Sequence, residues 1–263
     1  MSVLEIRGAG LRRGQRELWA GLDLKVEPGE FIAVLGPSGS GKTTLLRSIL
    51  GLQPLSEGSI EVEGSPVRRG NRRIGYIPQH RPFAPDTGMR ARDVVALGVQ
   101  GTRFGPPVPR RGDRERIDSV LSAVGAEHYA NRRVGELSGG EQQRLRVGQA
   151  LVDSPSLLLC DEPLSSLDLA NQQGVIEIID RQRREHKAGV LFVTHDINPI
   201  MGKVDRILYL ARGRFMLGTP DEVLQSRVLT DLYGAPVFVL RAGDRLVVVG
   251  VPDADAHDHG GDE

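Results

Sequence analysis

GPSGSGKT, residues 36–43, fits G-x-x-x-x-G-K-[ST] and lies between the apolar run FIAVL and the helical pattern TTLLRSILG. Around Gly36, Pro37, Ser38, Gly39, Ser40 and Gly41 the glycines let main-chain N–H groups turn inward about a β-phosphate. Lys42 is expected to reach the β/γ oxygens and the Thr43 hydroxyl to ligate Mg²⁺, with Thr44 completing the nucleotide-binding positions. SLLLCDEP supplies an acidic partner: Asp161 is placed to hold the magnesium's water shell, and Glu162 points to where an attacking water would sit. Two adjacent acids can also cap a turn. Beside a phosphate loop, a general base at Glu162 makes the chain a hydrolase rather than a passive nucleotide binder. His195, in VTHD, is read as a catalytic contact to the γ-phosphate and the water, although a histidine there can be structural. Gln79, in YIPQH, offers an amide that could ligate Mg²⁺ and sense the γ-phosphate.

These residues need a scaffold that brings them to one place. FIAVL (31–35), SLLLC (156–160) and VLFVT (190–194) are continuous apolar runs, as expected of parallel strands buried on both faces. Each run leads into one of the polar clusters, so all three clusters should meet at the carboxyl edge of one α/β sheet. VLEIRG (3–8) and LDLKV (22–26) read as antiparallel strands, with turn signals near Gly14 and at Pro28-Gly29. SIEVEG (59–64) and RRIGYIP (72–78) are further strands. From about residue 81 to 150, ARDVVALGV, DRERIDSVLSAVG and GGEQQRLRVGQALV read as a helical subdomain inserted between strands. After Leu210 come a turn at Gly213, a helix near 220–225 and the strands PVFVL and RLVVVG. The single domain is expected to span 1–250, and PDADAHDHGGDE, without apolar periodicity, to be disordered over 251–263.

Composition narrows the function classes. The 34 basic and 34 acidic residues cancel, so no global field points to nucleic acid or a membrane surface. One cysteine, Cys160, excludes an internal disulfide framework and fits a reducing cytosol. The N-terminus lacks the apolar run of a signal peptide, and no apolar run approaches a membrane span. A cytoplasmic protein is expected.

LSGGEQQRL (137–145) poses a separate problem, because it is a second anion site in a chain that already has one. Ser138, Gly139 and Gly140 stand at a helix N-terminus, whose partial positive charge suits an anion. A capping box explains Ser138 and Glu141, but not two glycines where they weaken the helix. GPSGSGKTT, the Gln of YIPQ, LSGGEQQ, LLLCDEP, SSLD and VTHD occur in the order and spacing of ATP-binding cassette (ABC) ATPases, which the chain resembles over about residues 3–225. The resemblance implies a P-loop core with a mostly parallel sheet, an N-terminal antiparallel β subdomain and the helical insertion. It implies ATP and Mg²⁺ as cofactors and a head-to-tail dimer with a second copy. In that dimer Ser138, Gly139, Gly140 and Glu141 face the other copy's γ-phosphate, and Asp168 of SSLD crosses the interface. One departure stands out: the aromatic residue that usually stacks on adenine is missing, and Arg13, in LRRGQ, is expected to stack there instead.

A single cassette without coiled-coil arms or zinc modules looks like the ATPase subunit of a membrane permease rather than a soluble repair or translation ATPase. The stretches ARDVVALG, VTHDINPIMGKVDRILYLARGR and LYGAPVFVLRAGDRLVVVG look most like ATPases of zinc, manganese or iron importers, served by an extracellular solute-binding protein. Haem or iron–siderophore import is the alternative. His257 and His259, with Asp255 and Asp258, could bind a divalent metal, against the plainer reading of a solvated acidic tail.

Overall fold

A computed structural model describes residues 2–14, 16–79, 82–100, 112–243 and 245–250. The chain begins with β1 (Leu4–Arg13), β2 (Arg16–Val26), β3 (Phe31–Leu35) and α1 (Lys42–Ile49). Next come β4 (Glu57–Val62), β5 (Ser65–Pro66) and β6 (Ile74–Ile77), then the helices α2 (Ala91–Gln100), α3 (Asp113–Ala123) and α4 (Gly139–Leu151). β7 (Leu157–Asp161), α5 (Leu169–His186), β8 (Gly189–Val193), β9 (Arg206–Ala211) and β10 (Arg214–Gly218) follow. The described chain ends with α6 (Pro220–Val223), α7 (Ser226–Tyr233), β11 (Val237–Ala242) and β12 (Arg245–Gly250).

The central sheet has the order β10-β9-β3-β8-β7-β6, parallel throughout except for β10, which returns antiparallel to β9. A second, antiparallel sheet has the order β2-β1-β4-β5. Side-chain alternation along the central strands separates two cores. Ile32, Val34, Leu157, Leu159, Leu191 and Val193 join α1 and the antiparallel sheet in one. Phe31, Ala33, Leu158, Cys160, Val190 and Phe192 face the other, which contains α2 to α5. A one-residue slip of any central strand would exchange its two faces, so the double burial pins the register that places the strand ends together. The mixed α/β class expected from the apolar runs is the architecture found.

Two details differ from the sequence reading. β1 and β2 run well beyond VLEIRG and LDLKV, because their ladder continues by register shifts past Gly8 and Gly10 on β1 and past Gly21 on β2. α5 and α7 have no counterpart in the sequence reading. The buried residues of α5 sit between long polar stretches at either end, which dilutes the helical period. Residues 101–111 and the tail with His257 and His259 lie outside the described residues.

Asp180 on α5 is almost wholly buried and receives Arg183 Nε at 2.9 Å, Lys203 Nζ at 2.7 Å and Arg184 at 3.2 Å. Burial alone would raise its carboxyl pKa. The Lys203 hydrogen bond and the three positive charges more than reverse that and hold it below the usual carboxylate range. Asp180→Ala would remove the shared partner of the three cations, partly relieved by their own exposure and by Asp205, which stays 3.1 Å from Arg183. It is expected to cost about 2–3 kcal/mol in chemical denaturation. A loss below about 0.5 kcal/mol, the scale of an ordinary surface change, would contradict this.

Candidate functional site

The phosphate loop leaves the carboxyl end of β3 and enters α1 at Lys42. Gly36 has φ +139°, and a Cβ there would lie 2.0 Å from the Leu210 carbonyl oxygen, so the first turn of the loop admits only glycine. The N-terminus of α1 has no side-chain cap and no acid in its first turn, which leaves its N–H groups and positive end open to an anion. Lys42 Nζ donates to Gly36 O at 2.7 Å and to Pro37 O at 2.9 Å, folding the ammonium back over the loop. Burial lowers its pKa, against the opposing pull of the nearby Glu162 and Asp161 charges. Trp19 is fully buried, with its indole edge next to Gly41, and so forms part of the floor beneath the loop.

Asp161 ends β7 inside the protein, where Thr43 Oγ1 donates to one carboxylate oxygen at 3.1 Å and the Tyr76 hydroxyl to the other at 3.2 Å. Burial raises the Asp161 pKa, and the two hydrogen bonds only partly offset it. Burial and the Asp161 charge push the Tyr76 hydroxyl up to about 12. Both direct partners of this carboxylate are neutral hydroxyls, so its charge is left largely uncompensated. A hard divalent cation beside it would remove that penalty, and Thr43 and Asp161 together offer oxygen ligands of the kind Mg²⁺ takes, while Gln79 stands at the neighbouring Glu162.

Glu162 is the next residue but points elsewhere. Its backbone adopts φ +47°, uncommon for a residue with a side chain, while its N–H donates to Val193 O at 3.0 Å. The kink sends the carboxylate out past the sheet edge. There Gln79 Nε2 lies 3.5 Å and His195 Nδ1 3.6 Å from Glu162 Oε2. A cavity of about 580 Å³ opens here, bordered by Gly36, Pro37, Ser38, Lys42, Glu162 and His195. A neighbouring one of about 350 Å³ is lined by Leu18, Ser38, Gly39, Gly41, Lys42, Thr43, Thr44 and Glu162. A third of about 360 Å³ contains Gln79 with Glu162 and His195. Four strand ends therefore deliver the loop, Asp161-Glu162, His195 and Gln79 to one edge.

The LSGGEQQ segment meets this edge only through its last residue, Gln143, whose Nε2 donates to Pro163 O at 3.0 Å. Ser138 caps α4: Glu141 N–H donates to Ser138 Oγ at 3.3 Å, and Ser138 N–H to Glu141 Oε2 at 2.8 Å. Asp168 caps α5 by accepting from Asn171 N–H at 2.9 Å and Asn171 Nδ2 at 2.8 Å. The two caps touch, since a Cβ on Gly140 would fall 2.2 Å from the Asn171 side chain. The second glycine thus has a packing reason within the chain. None of the three cavities at the phosphate loop is lined by Ser138, Gly139, Gly140, Glu141 or Asp168. Arg13 closes β1, opposite Arg16 at the β1–β2 turn, and its side chain lies outside the described residues. Sequence reasoning missed Tyr76, which sits in the same strand motif as Gln79, and Leu18, whose apolar type carries no chemical signal.

A phosphate loop at the carboxyl edge of a parallel sheet, one acid bonded to the helix-start hydroxyl and a second acid beside a histidine define a P-loop nucleoside-triphosphate hydrolase. The chain belongs to the ABC transporter family, whose model matches residues 19–165, and like that family it binds and hydrolyses ATP. It is 34% identical over 260 residues to the zinc import ATP-binding protein ZnuC of Paramagnetospirillum magneticum, covering 99% of this chain and 90% of the relative. The aliphatic sulfonates import ATP-binding protein SsuB 1 of Pseudomonas fluorescens is 39% identical over 226 residues, covering 86% of this chain and 80% of the relative. Among solved structures, a chain of an ABC transporter described as metal-chelate type, in an inward-facing conformation, superposes with a TM-score of 0.79. It is 28% identical, with 95% of this chain and 97% of that one covered. Among the described residues no helix is long and apolar enough to cross a membrane.

Proposed function

We propose that two copies of this chain close head-to-tail around two ATP molecules and drive a membrane permease that imports a divalent metal ion, zinc foremost. The observation that carries the hydrolytic half is the position of Glu162 Oε2, flanked by Gln79 and His195 at the mouth of the phosphate loop. Glu162 takes the proton of the attacking water, and His195 orients that water and the γ-phosphate. Lys42 exchanges the loop carbonyls for β/γ oxygens, while the backbone of residues 36–44 encloses the phosphates. Thr43, Asp161 and Gln79 hold Mg²⁺, which when bound supplies charge neutralisation at the phosphate oxygens. Ser138, Gly139, Gly140 and Glu141, with Asp168, act on the partner copy's nucleotide. Their absence from the lining of the three cavities at the phosphate loop supports that reading, because the loop already encloses the phosphates from its own side. Arg13 stacks on adenine from the β1–β2 turn.

On this reading the chain sits at the cytoplasmic face of the membrane, held by the permease, and an extracellular solute-binding protein completes the machine. Support for a metal cargo comes from the zinc relative, which matches nearly the whole chain. The sulfonate relative has higher identity over a shorter span, and identity in an ATPase core says little about a cargo that the core does not hold. A second reading, import of a metal chelate such as haem or a siderophore, is favoured by the metal-chelate match. Cellular zinc, manganese and iron would be measured with the wild-type chain, a deletion and Lys42→Ala. A selective fall of zinc in both mutants, restored by the wild-type chain, is expected. A fall of iron alone moves the cargo to a chelate, and no change in any metal where the protein is expressed removes metal import.

A further inference from the structure

The hairpin β11–β12 is tied to the hydrolytic edge by one side chain. Asn198 Nδ2 donates to Leu246 O at 2.9 Å, and Leu246 N–H donates to Asn198 Oδ1 at 2.7 Å. Leu246 stands opposite Arg241 in the hairpin, yet its N–H and C=O both turn outward to this carboxamide. Asn198 thereby makes the two-bond ring that a neighbouring strand would make on the free edge of β12. Its other attachments run to the loop after β8. Asp196 Oδ1 accepts from Asn198 N–H at 2.9 Å and from Nδ2 at 2.8 Å. Asp196 N–H in turn donates to Thr194 Oγ1 at 3.1 Å, and that hydroxyl donates to Asp196 O at 2.8 Å.

His195 lies inside this knot. Its side chain is 70% exposed, and the contact recorded for it among the described residues is Glu162, at 3.6 Å. A ring held so lightly takes its direction from the backbone that carries it. The hairpin is itself fastened: Thr230 Oγ1 on α7 accepts from Val237 N–H at 3.0 Å and donates to Val237 O at 3.2 Å. Leu246, Val247 and Gly250 form a wall of the cavity onto which Lys42, Glu162 and His195 open.

We propose that Asn198 is a positioning residue for hydrolysis: it clamps the C-terminal hairpin to the Thr194–Asp196 loop and so holds His195 toward Glu162. The inference rests on the reading of His195 as a contact to the γ-phosphate or the water.

The test is a double-mutant cycle on the full chain, with kcat and KM for ATP measured for the parent, Asn198→Ala, His195→Ala and the pair. Asn198→Ala is expected to lower kcat about tenfold with KM within about twofold, since no bond of Asn198 reaches the phosphate loop. In the His195→Ala background the same change should cost less than about twofold, as expected when one residue acts through the other. Equal losses in both backgrounds, or a rise in KM matching the fall in kcat, overturn the positioning role. If His195→Ala is as active as the parent, the reading of His195 fails and the clamp has nothing to position. Should Asn198→Ala not fold, the isosteric Asn198→Asp decides by the same cycle. It keeps the acceptor for Leu246 N–H but sets an anion against Leu246 O and Asp196, and parent-like turnover there overturns the proposal.

Discussion

Glu162→Gln is expected to bind ATP at least as tightly as the parent and to hydrolyse it about a thousandfold more slowly, within the span usual for a lost general base. The replacement is isosteric, so the strained backbone at φ +47° and the side-chain volume at the sheet edge are unchanged. The grip on phosphate is also unchanged, because Lys42 is held by the carbonyls of Gly36 and Pro37 and not by Glu162. Affinity should if anything rise, since an acid facing the same cavity as the phosphates is replaced by a neutral amide. What is lost is the acceptor for the water's proton, between Gln79 and His195. Single-turnover hydrolysis and equilibrium ATP binding separate the two effects. The stalled protein should also accumulate as an ATP-dependent dimer by light scattering. Turnover within tenfold of the parent would remove Glu162 from the base role. Retained binding with no dimer would leave the base in place and refute the head-to-tail arrangement.

The site was more legible in the sequence than its surroundings, and for a physical reason. A loop that must present N–H groups inward needs glycines at set places, and Gly36, with the Leu210 carbonyl 2.0 Å from any added Cβ, is a position no other residue can fill. Strands buried on both faces must be apolar throughout, so FIAVL, SLLLC and VLFVT announce themselves and so do the polar residues at their ends. The packing role of Gly140 is different. Its packing against Asn171 depends on where α5 begins, and no local pattern records that approach. Tyr76 likewise becomes a partner of Asp161 only because β6 lies beside β7 in the sheet, a pairing set by tertiary order and not by spacing along the chain. α5 was missed because its ends are polar, while Val175, Ile176, Ile178 and Ile179 carry its burial over little more than one turn.

Lys42→Ala should fail one step earlier than Glu162→Gln, at binding. The ammonium is mostly buried and desolvated, and its two hydrogen bonds to loop carbonyls stand where bonds to phosphate oxygens form when nucleotide enters. Charge-assisted bonds of this kind are worth about 1.5–3 kcal/mol each, so losing two predicts ATP affinity weaker by about 100- to 10,000-fold. Electrostatics acts in the same direction. Asp161 and Glu162 both bear on Lys42, and without it a polyanion must approach two acids with no fixed cation between them. Folding should survive, because alanine is a good helix former at the start of α1 and the positive helix end remains. Lys42→Arg is expected to recover little. A planar guanidinium cannot converge on Gly36 O and Pro37 O as a compact ammonium does, and it would crowd the loop it is meant to close. Isothermal titration with ATP, alongside circular dichroism to confirm the fold, checks this. ATP affinity within tenfold of the parent would mean that the backbone N–H groups alone carry the phosphates. Lys42 would then belong to the chemical step, and Lys42→Ala would resemble Glu162→Gln in binding ATP without turning it over.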